Sequence, residues 1–147
     1  MGDAARLIIV VDTQLFLRAA INGRSLPARL LFEYGPRYAL AVSPEIRAEV
    51  AEVLNRSSLR SKFPALTDER VAELLAILDI GMQVQAHEIL PVSRDPKDDI
   101  FLAVALEAHA DYLISEDKDL LVIKKYAGTR IIDALEFLRI LEDSSES

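Results

Sequence analysis

Carboxylates are the side chains best placed here to do chemistry, and four of them stand at positions where an α/β fold presents its functional groups. Asp12 closes the β-branched run Leu7–Val11. Asp117 follows the apolar stretch Tyr112–Ser115, and Glu49 and Asp98 lie inside amphipathic segments. The chain has no cysteine and only two histidines, which excludes disulfide scaffolds, thiolate zinc sites and cysteine nucleophiles. Acids gathered from four separate segments repel one another unless cations lie between them, and hard oxygen donors select Mg²⁺ or Mn²⁺ over softer metals. The pattern therefore fits a metal cluster better than an acid/base pair.

Each acid also has a structural explanation. Asp12 has the position of an N-cap for the helix beginning near Gln14, a role compatible with metal ligation. In the segment after Pro44, the apolar stripe Ile46, Val50, Val53, Leu54 has Glu49 at its border, while Glu45 and Glu52 rotate toward solvent. Helical glutamates commonly form a solvated face. Asp98 is in line with Leu102 and Ala105 on the buried stripe of its helix, whereas Asp99 is expected to face away, near Glu107. The helix dipole favours an acid in the first turn but does not explain why Asp98 faces the sheet. Asp117 and Asp119 belong to the polar turn Ser115–Asp119, at the same end of the sheet as Asp12.

The elements that must position these acids alternate along the chain. Strands are expected at 6–11, 38–42, 82–84, 112–115 and 130–132. Helices are expected at 13–21, 27–34, 44–54, 67–78, 96–108 and 133–141, with a helical turn at 119–121 and a polar, basic connector at 55–62. Strands separated by helices imply right-handed crossovers and a three-layer α/β/α sandwich around a mainly parallel sheet of four to five strands. Residues 1–141 fit one domain, and 142–147 are expected to be a disordered tail. No run approaches membrane-spanning length and the first residues lack a secretory leader, so a cytoplasmic location is expected. The formal net charge of −7 argues against a general polyanion binder, unless several acids are neutralised together by bound cations.

Four segments carry a resemblance: Val10–Phe16 (VVDTQLF), Ser43–Leu54 (SPEIRAEVAEVL), Asp95–Ala105 (DPKDDIFLAVA) and Ala110–Leu121 (ADYLISEDKDLL). With the ending Ile131–Leu138 (IIDALEFL), they occur in the order found in the PIN-domain family. The chain resembles in particular its bacterial toxin components of toxin-antitoxin systems, the VapC-like ribonucleases. The resemblance implies that Asp12, Glu49, Asp98 and Asp117 are the acidic quartet, that Asp119 is an auxiliary acid, and that Ser115 supplies a nearby hydroxyl. Two departures stand out: Gln14 where the family usually has asparagine, and Ser115-Glu116-Asp117 where it usually has Thr-Gly-Asp.

The implied function is hydrolysis of single-stranded RNA with Mg²⁺ or Mn²⁺, by a homodimer inhibited by an antitoxin protein. Arg56, Arg60, Lys62 and Lys118 are candidate substrate contacts, with a solvated basic surface as the alternative. Two rival functions remain. One is a catalytically weak or inactive PIN-like interaction module. The other is a Mg²⁺-dependent phosphatase with Asp12 as nucleophile, ranked lower because Gln14 stands where that chemistry uses a second aspartate.

Overall fold

The structure is a computed structural model that describes residues 6–145. Strand β1 (Leu7–Val11) runs through the middle of a six-stranded sheet, and its residues Ile9, Val10 and Val11 are almost fully buried. Burial on both faces explains why its sequence is continuously apolar rather than alternating. Helix α1 (Thr13–Ile21) starts directly from it, its first turn capped by the Asp12 carboxylate. Short α2 (Leu26–Ala28) passes into a wider π-helical turn at Arg29–Glu33, so the single helix expected at 27–34 is two pieces. Strand β2 (Tyr38–Val42) leads through Ser43, whose side chain accepts from the Ile46 amide, into α3 (Pro44–Leu54).

The expected connector at 55–62 is partly helical. Helix α4 (Ser57–Lys62) has no side-chain N-cap, and Arg60 ties it back by donating to the Leu54 carbonyl at 2.9 Å. Then follow α5 (Asp68–Asp79), β3 (Met82–Gln83), a 3₁₀ turn at Pro96–Asp98, and α6 (Asp99–Ala108). Strand β4 (Tyr112–Ile114), helix α7 (Lys118–Leu121), β5 (Lys125–Tyr126), β6 (Thr129–Ile132) and α8 (Ala134–Ser145) complete the chain.

Helix α8 continues past the expected end at Leu141, so residues 142–145 are helical and not a disordered tail. Arg37 donates to the Leu141 carbonyl at 2.9 Å and Arg29 lies 3.9 Å from Glu142, contacts from distant parts of the chain that hold this last turn. Glu146 and Ser147 lie outside the described residues.

Among the described residues the strand order is β3-β2-β1-β4-β6-β5, six strands rather than four to five, and only β5 pairs antiparallel. Helices pack on the sheet in an α/β/α sandwich, with α6 lying against β1, β2 and β4. The chain leaves β1 toward β2 and β3 on one side, and later fills β4 and β6 on the other. In open parallel sheets the crevice at such a switch of winding, beyond the carboxyl ends of the strands, is where ligands bind. Asp12 and Ser115 stand there, next to each other at the ends of paired strands.

Candidate metal centre

The switch between β1 and β4 brings together two residues 103 apart in sequence. The Asp12 amide donates to the Ile114 carbonyl at 3.1 Å, continuing the ladder past β1. Its carboxylate is 4% exposed; Oδ1 accepts from the Gln14 amide at 2.7 Å and Oδ2 accepts from the Ser115 hydroxyl. The Ser115 Oγ in turn accepts from the Asp117 amide at 3.0 Å. One buried hydroxyl therefore fixes the relative position of two acids that cap different helices, beyond the ends of β1 and β4. Asp12 is both helix cap and site residue, and its capping oxygen is not the one held by Ser115. Burial pushes its carboxyl above the ordinary range, opposed by the bonds from Ser115 and Gln14, with the charges of Asp117 and Glu49 adding to the rise.

Glu49 enters from α3, half-buried, and Thr13 Oγ1 donates to its Oε2. Asp117 caps α7, accepting from the Asp119 amide at 2.9 Å. Asp98 closes the site from the opposite element. It is 8% exposed, and its Oδ2 is buried with no hydrogen-bond partner among the described residues. Burial first, and then the neighbouring charge of Asp117, push its carboxyl up to about 7. Asp12, Glu49, Asp98 and Asp117 line one cleft of about 230 Å³, with Thr13, Gln14 and Phe101.

A divalent cation fits these residues. A buried carboxylate oxygen without a donor is costly, and a cation is one of the few partners that removes the cost without adding a proton. Oxygens of Asp98, Asp117 and Asp119 all lie within 4.8 Å of one another, a separation that one ion can bridge. Asp119 therefore belongs to the same cluster as Asp98 and Asp117, although its Oδ1 also approaches Arg94 at 3.9 Å.

Asp99 does not face away. It is 5% exposed, and its Oδ1 accepts from the Val92 amide at 3.2 Å, the Ser93 amide at 2.8 Å and the Ser93 hydroxyl at 2.8 Å. The helix opens with a 3₁₀ turn, so the rotation per residue before Asp99 exceeds the α-helical value, and the preceding loop folds over the carboxylate. Burial raises its carboxyl but the three bonds outweigh it, leaving the group below its ordinary value. This staple holds the segment that delivers Asp95, Lys97 and Asp98 to the cleft. A serine six residues ahead of a helix-start aspartate was the available signal, but it does not reveal how the loop folds.

Among the basic candidates, Arg56 borders the cleft and pairs with Glu52 at 2.9 Å. Arg60 is committed to Leu54, Asn55 and Asp68, Lys62 sits over the Phe63 ring, and Lys118 is exposed; none of the three lines the cleft. Lys97, which sequence reasoning passed over, does.

A family model described as the PIN domain matches residues 8–119, which contain every acid of the cleft. The chain belongs to the PIN domain family. PIN domains are generally metal-dependent nucleases, and the acidic cluster described above has the donor chemistry that such a metal requires. Over 124 residues the chain is 26% identical to the uncharacterized protein MJ1680 of Methanocaldococcus jannaschii, a match covering 83% of this chain and 78% of that one. The fold is similar to the crystal structure of PAE2754 from Pyrobaculum aerophilum, with a TM-score of 0.59 and 17% identity over 93% of this chain and 90% of that one. At Gln14, where the resemblance implies asparagine, the backbone N–H donates to the Asp12 cap while the exposed side chain borders the cleft.

Proposed function

We propose that this chain is a Mg²⁺- or Mn²⁺-dependent endoribonuclease that hydrolyses phosphodiester bonds of single-stranded RNA. The observation carrying the reading is the convergence of Asp12, Glu49, Asp98 and Asp117 on one cleft in which an Asp98 oxygen is buried with no hydrogen-bond donor among the described residues. Asp98, Asp117 and Asp119 would hold the ion, with Asp12 and Glu49 lining the same cleft beside Asp98 and Asp117. When bound there, a divalent ion lowers the pKa of an attacking water and places positive charge beside the phosphate oxygens.

The chain's own residues supply the remaining roles. Ser115 keeps Asp12 and Asp117 in register, and Thr13 holds one Glu49 oxygen so that the other can orient a water. Lys97 and Arg56 at the cleft border offset the charge of an entering phosphate, which four acids would otherwise repel. A cleft of about 230 Å³ takes a phosphate with its sugar from a flexible strand more readily than a stacked duplex. Within this reading the protein is the toxin of a toxin-antitoxin pair, acting as a homodimer restrained by an antitoxin protein.

The test is cleavage of one sequence presented as single-stranded RNA, duplex RNA and single-stranded DNA, with Mn²⁺ in excess. The reading expects the first to be cut fastest. Tight Mn²⁺ binding with no cleavage of varied RNAs would favour the interaction module instead. Release of phosphate from a small phosphoester through a phospho-enzyme would favour the phosphatase.

A further inference from the structure

A second cavity, of about 310 Å³, opens beside the metal cleft, between the outer side of α1 and the turn joining β4 to α7. Its walls are Gln14, Leu17, Arg18 and Ile21, at helical i, i+3, i+4 and i+7 spacing, faced by Glu116 and Asp117. Gln14 and Asp117 line both cavities, so a strand with a phosphate in the first has its neighbouring nucleoside at the mouth of the second.

Helix α1 already buries Leu15, Phe16, Ala19 and Ala20 in the core. Leu17 and Ile21 flank that face and remain half-exposed; Leu17 also packs against the core, while Ile21 is left facing the cavity, so core packing alone does not account for the apolar wall. A cavity near ~300 Å³ with apolar walls and a few convergent polar groups has the make-up of a small-ligand site. The polar groups here are the Gln14 amide, which both donates and accepts, and the Arg18–Glu116 ion pair, which offers donors and acceptors side by side. Glu116 and Asp117 make the cavity unsuitable for a second phosphate. A flat heterocycle with apolar faces and a mixed donor-acceptor edge matches it.

Resting on the ribonuclease reading, we propose that this cavity receives the nucleobase adjacent to the scissile phosphate, turned out of its stack. Leu17 and Ile21 lie against the base face, while Gln14, Arg18 and Glu116 read its edge. Apolar side chains around an extruded base, with hydrogen bonds to its edge, are a recurring way for enzymes to hold a nucleotide taken out of the stack. The side chain at Gln14, where the family usually has asparagine, thus serves the wall that the two cavities share.

The experiment is a Mn²⁺-dependent cleavage series on short oligoribonucleotides carrying one abasic ribose, moved position by position past the cut. Removing the base beside the cut should slow cleavage roughly 5- to 100-fold, the range of single-base contact losses, and removing distant bases should not. The Leu17→Ser/Ile21→Ser variant should cut the intact oligonucleotide as slowly as the wild type cuts the abasic one, and be indifferent to that base. Both residues are half-exposed, and a melting curve verifies that the variant folds. Cleavage by the wild type that ignores every base overturns the pocket while leaving the nuclease reading intact; no cleavage of any RNA overturns both. Conversion of a dimer to a monomer by the double substitution, with base sensitivity retained, assigns the cavity to a subunit interface and overturns the proposal.

Discussion

Asp98→Asn should make the metal-free protein more stable and the metal-loaded protein less so. The ionised Asp98 carboxylate is buried beside Asp117, and its carboxyl is raised from an ordinary 3.8 to about 7. A group bound to its proton more tightly in the folded state contributes stability at low pH. That contribution is lost as pH rises from about 4 to about 7, because the folded chain must then give up a proton that it holds better than the unfolded chain does. Full expression of the shift corresponds to ~4 kcal/mol; sharing of the proton with Asp117 and local relaxation reduce the expected loss to about 2 kcal/mol.

Asparagine keeps the shape and removes the charge. At pH 7.5 in EDTA, the variant should melt about 4–8 °C above the wild type, and the advantage should vanish by pH 4. Saturating Mn²⁺ should reverse the order, because an ion held 100-fold above its dissociation constant stabilises the wild type by about 2.7 kcal/mol and the variant by much less. Thermal melts across pH 4–8, with EDTA or Mn²⁺, decide the matter. The reasoning fails if the variant is less stable than the wild type in EDTA at neutral pH, or if Mn²⁺ raises both melting temperatures equally.

Other outcomes follow from the same geometry. Ser115→Ala removes the hydroxyl that joins Asp12 to the Asp117 amide and should weaken Mn²⁺ binding by roughly 10- to 100-fold in calorimetric titration, without loss of the fold. Asp99→Ala strands the Val92 and Ser93 amides, while the Ser93 hydroxyl keeps the Asp95 carbonyl as acceptor, and should cost about 2–3 kcal/mol in urea unfolding, with amide exchange accelerating first in the 92–98 segment. Gly81→Ala would put a Cβ 2.6 Å from the Leu40 carbonyl oxygen and 3.2 Å from that of Leu78, so backbone must shift; a loss of about 1–3 kcal/mol is expected by the same assay.

Strand-end position put Asp12 and Asp117 at one end of the sheet, because a buried parallel strand has an apolar signature and its first polar successor falls at the carboxyl end; their role came from the resemblance. Helix rotation placed Asp98 correctly and Asp99 wrongly. Periodicity assumes a uniform helix, and a 3₁₀ opening at Pro96–Asp98 breaks that assumption where the two acids lie. The two-residue β5 and the short α4 carry too few residues for any period to show. The Thr13–Glu49 and Ser115–Asp12 bonds join residues far apart in sequence, so no local pattern encodes them. Likewise Lys97 reads as one more surface lysine until the loop stapled by Asp99 carries it to the cleft.

The central claim is that the acids around Asp98 exist to hold a metal that hydrolyses RNA. Its most direct test is cleavage of a single-stranded RNA pool by the wild type and by Asp98→Asn, each with Mg²⁺, Mn²⁺ or EDTA. The account predicts cleavage by the wild type with either metal, none in EDTA, and a loss of at least roughly 100-fold in the variant. Cleavage that persists in EDTA and in the variant would contradict it.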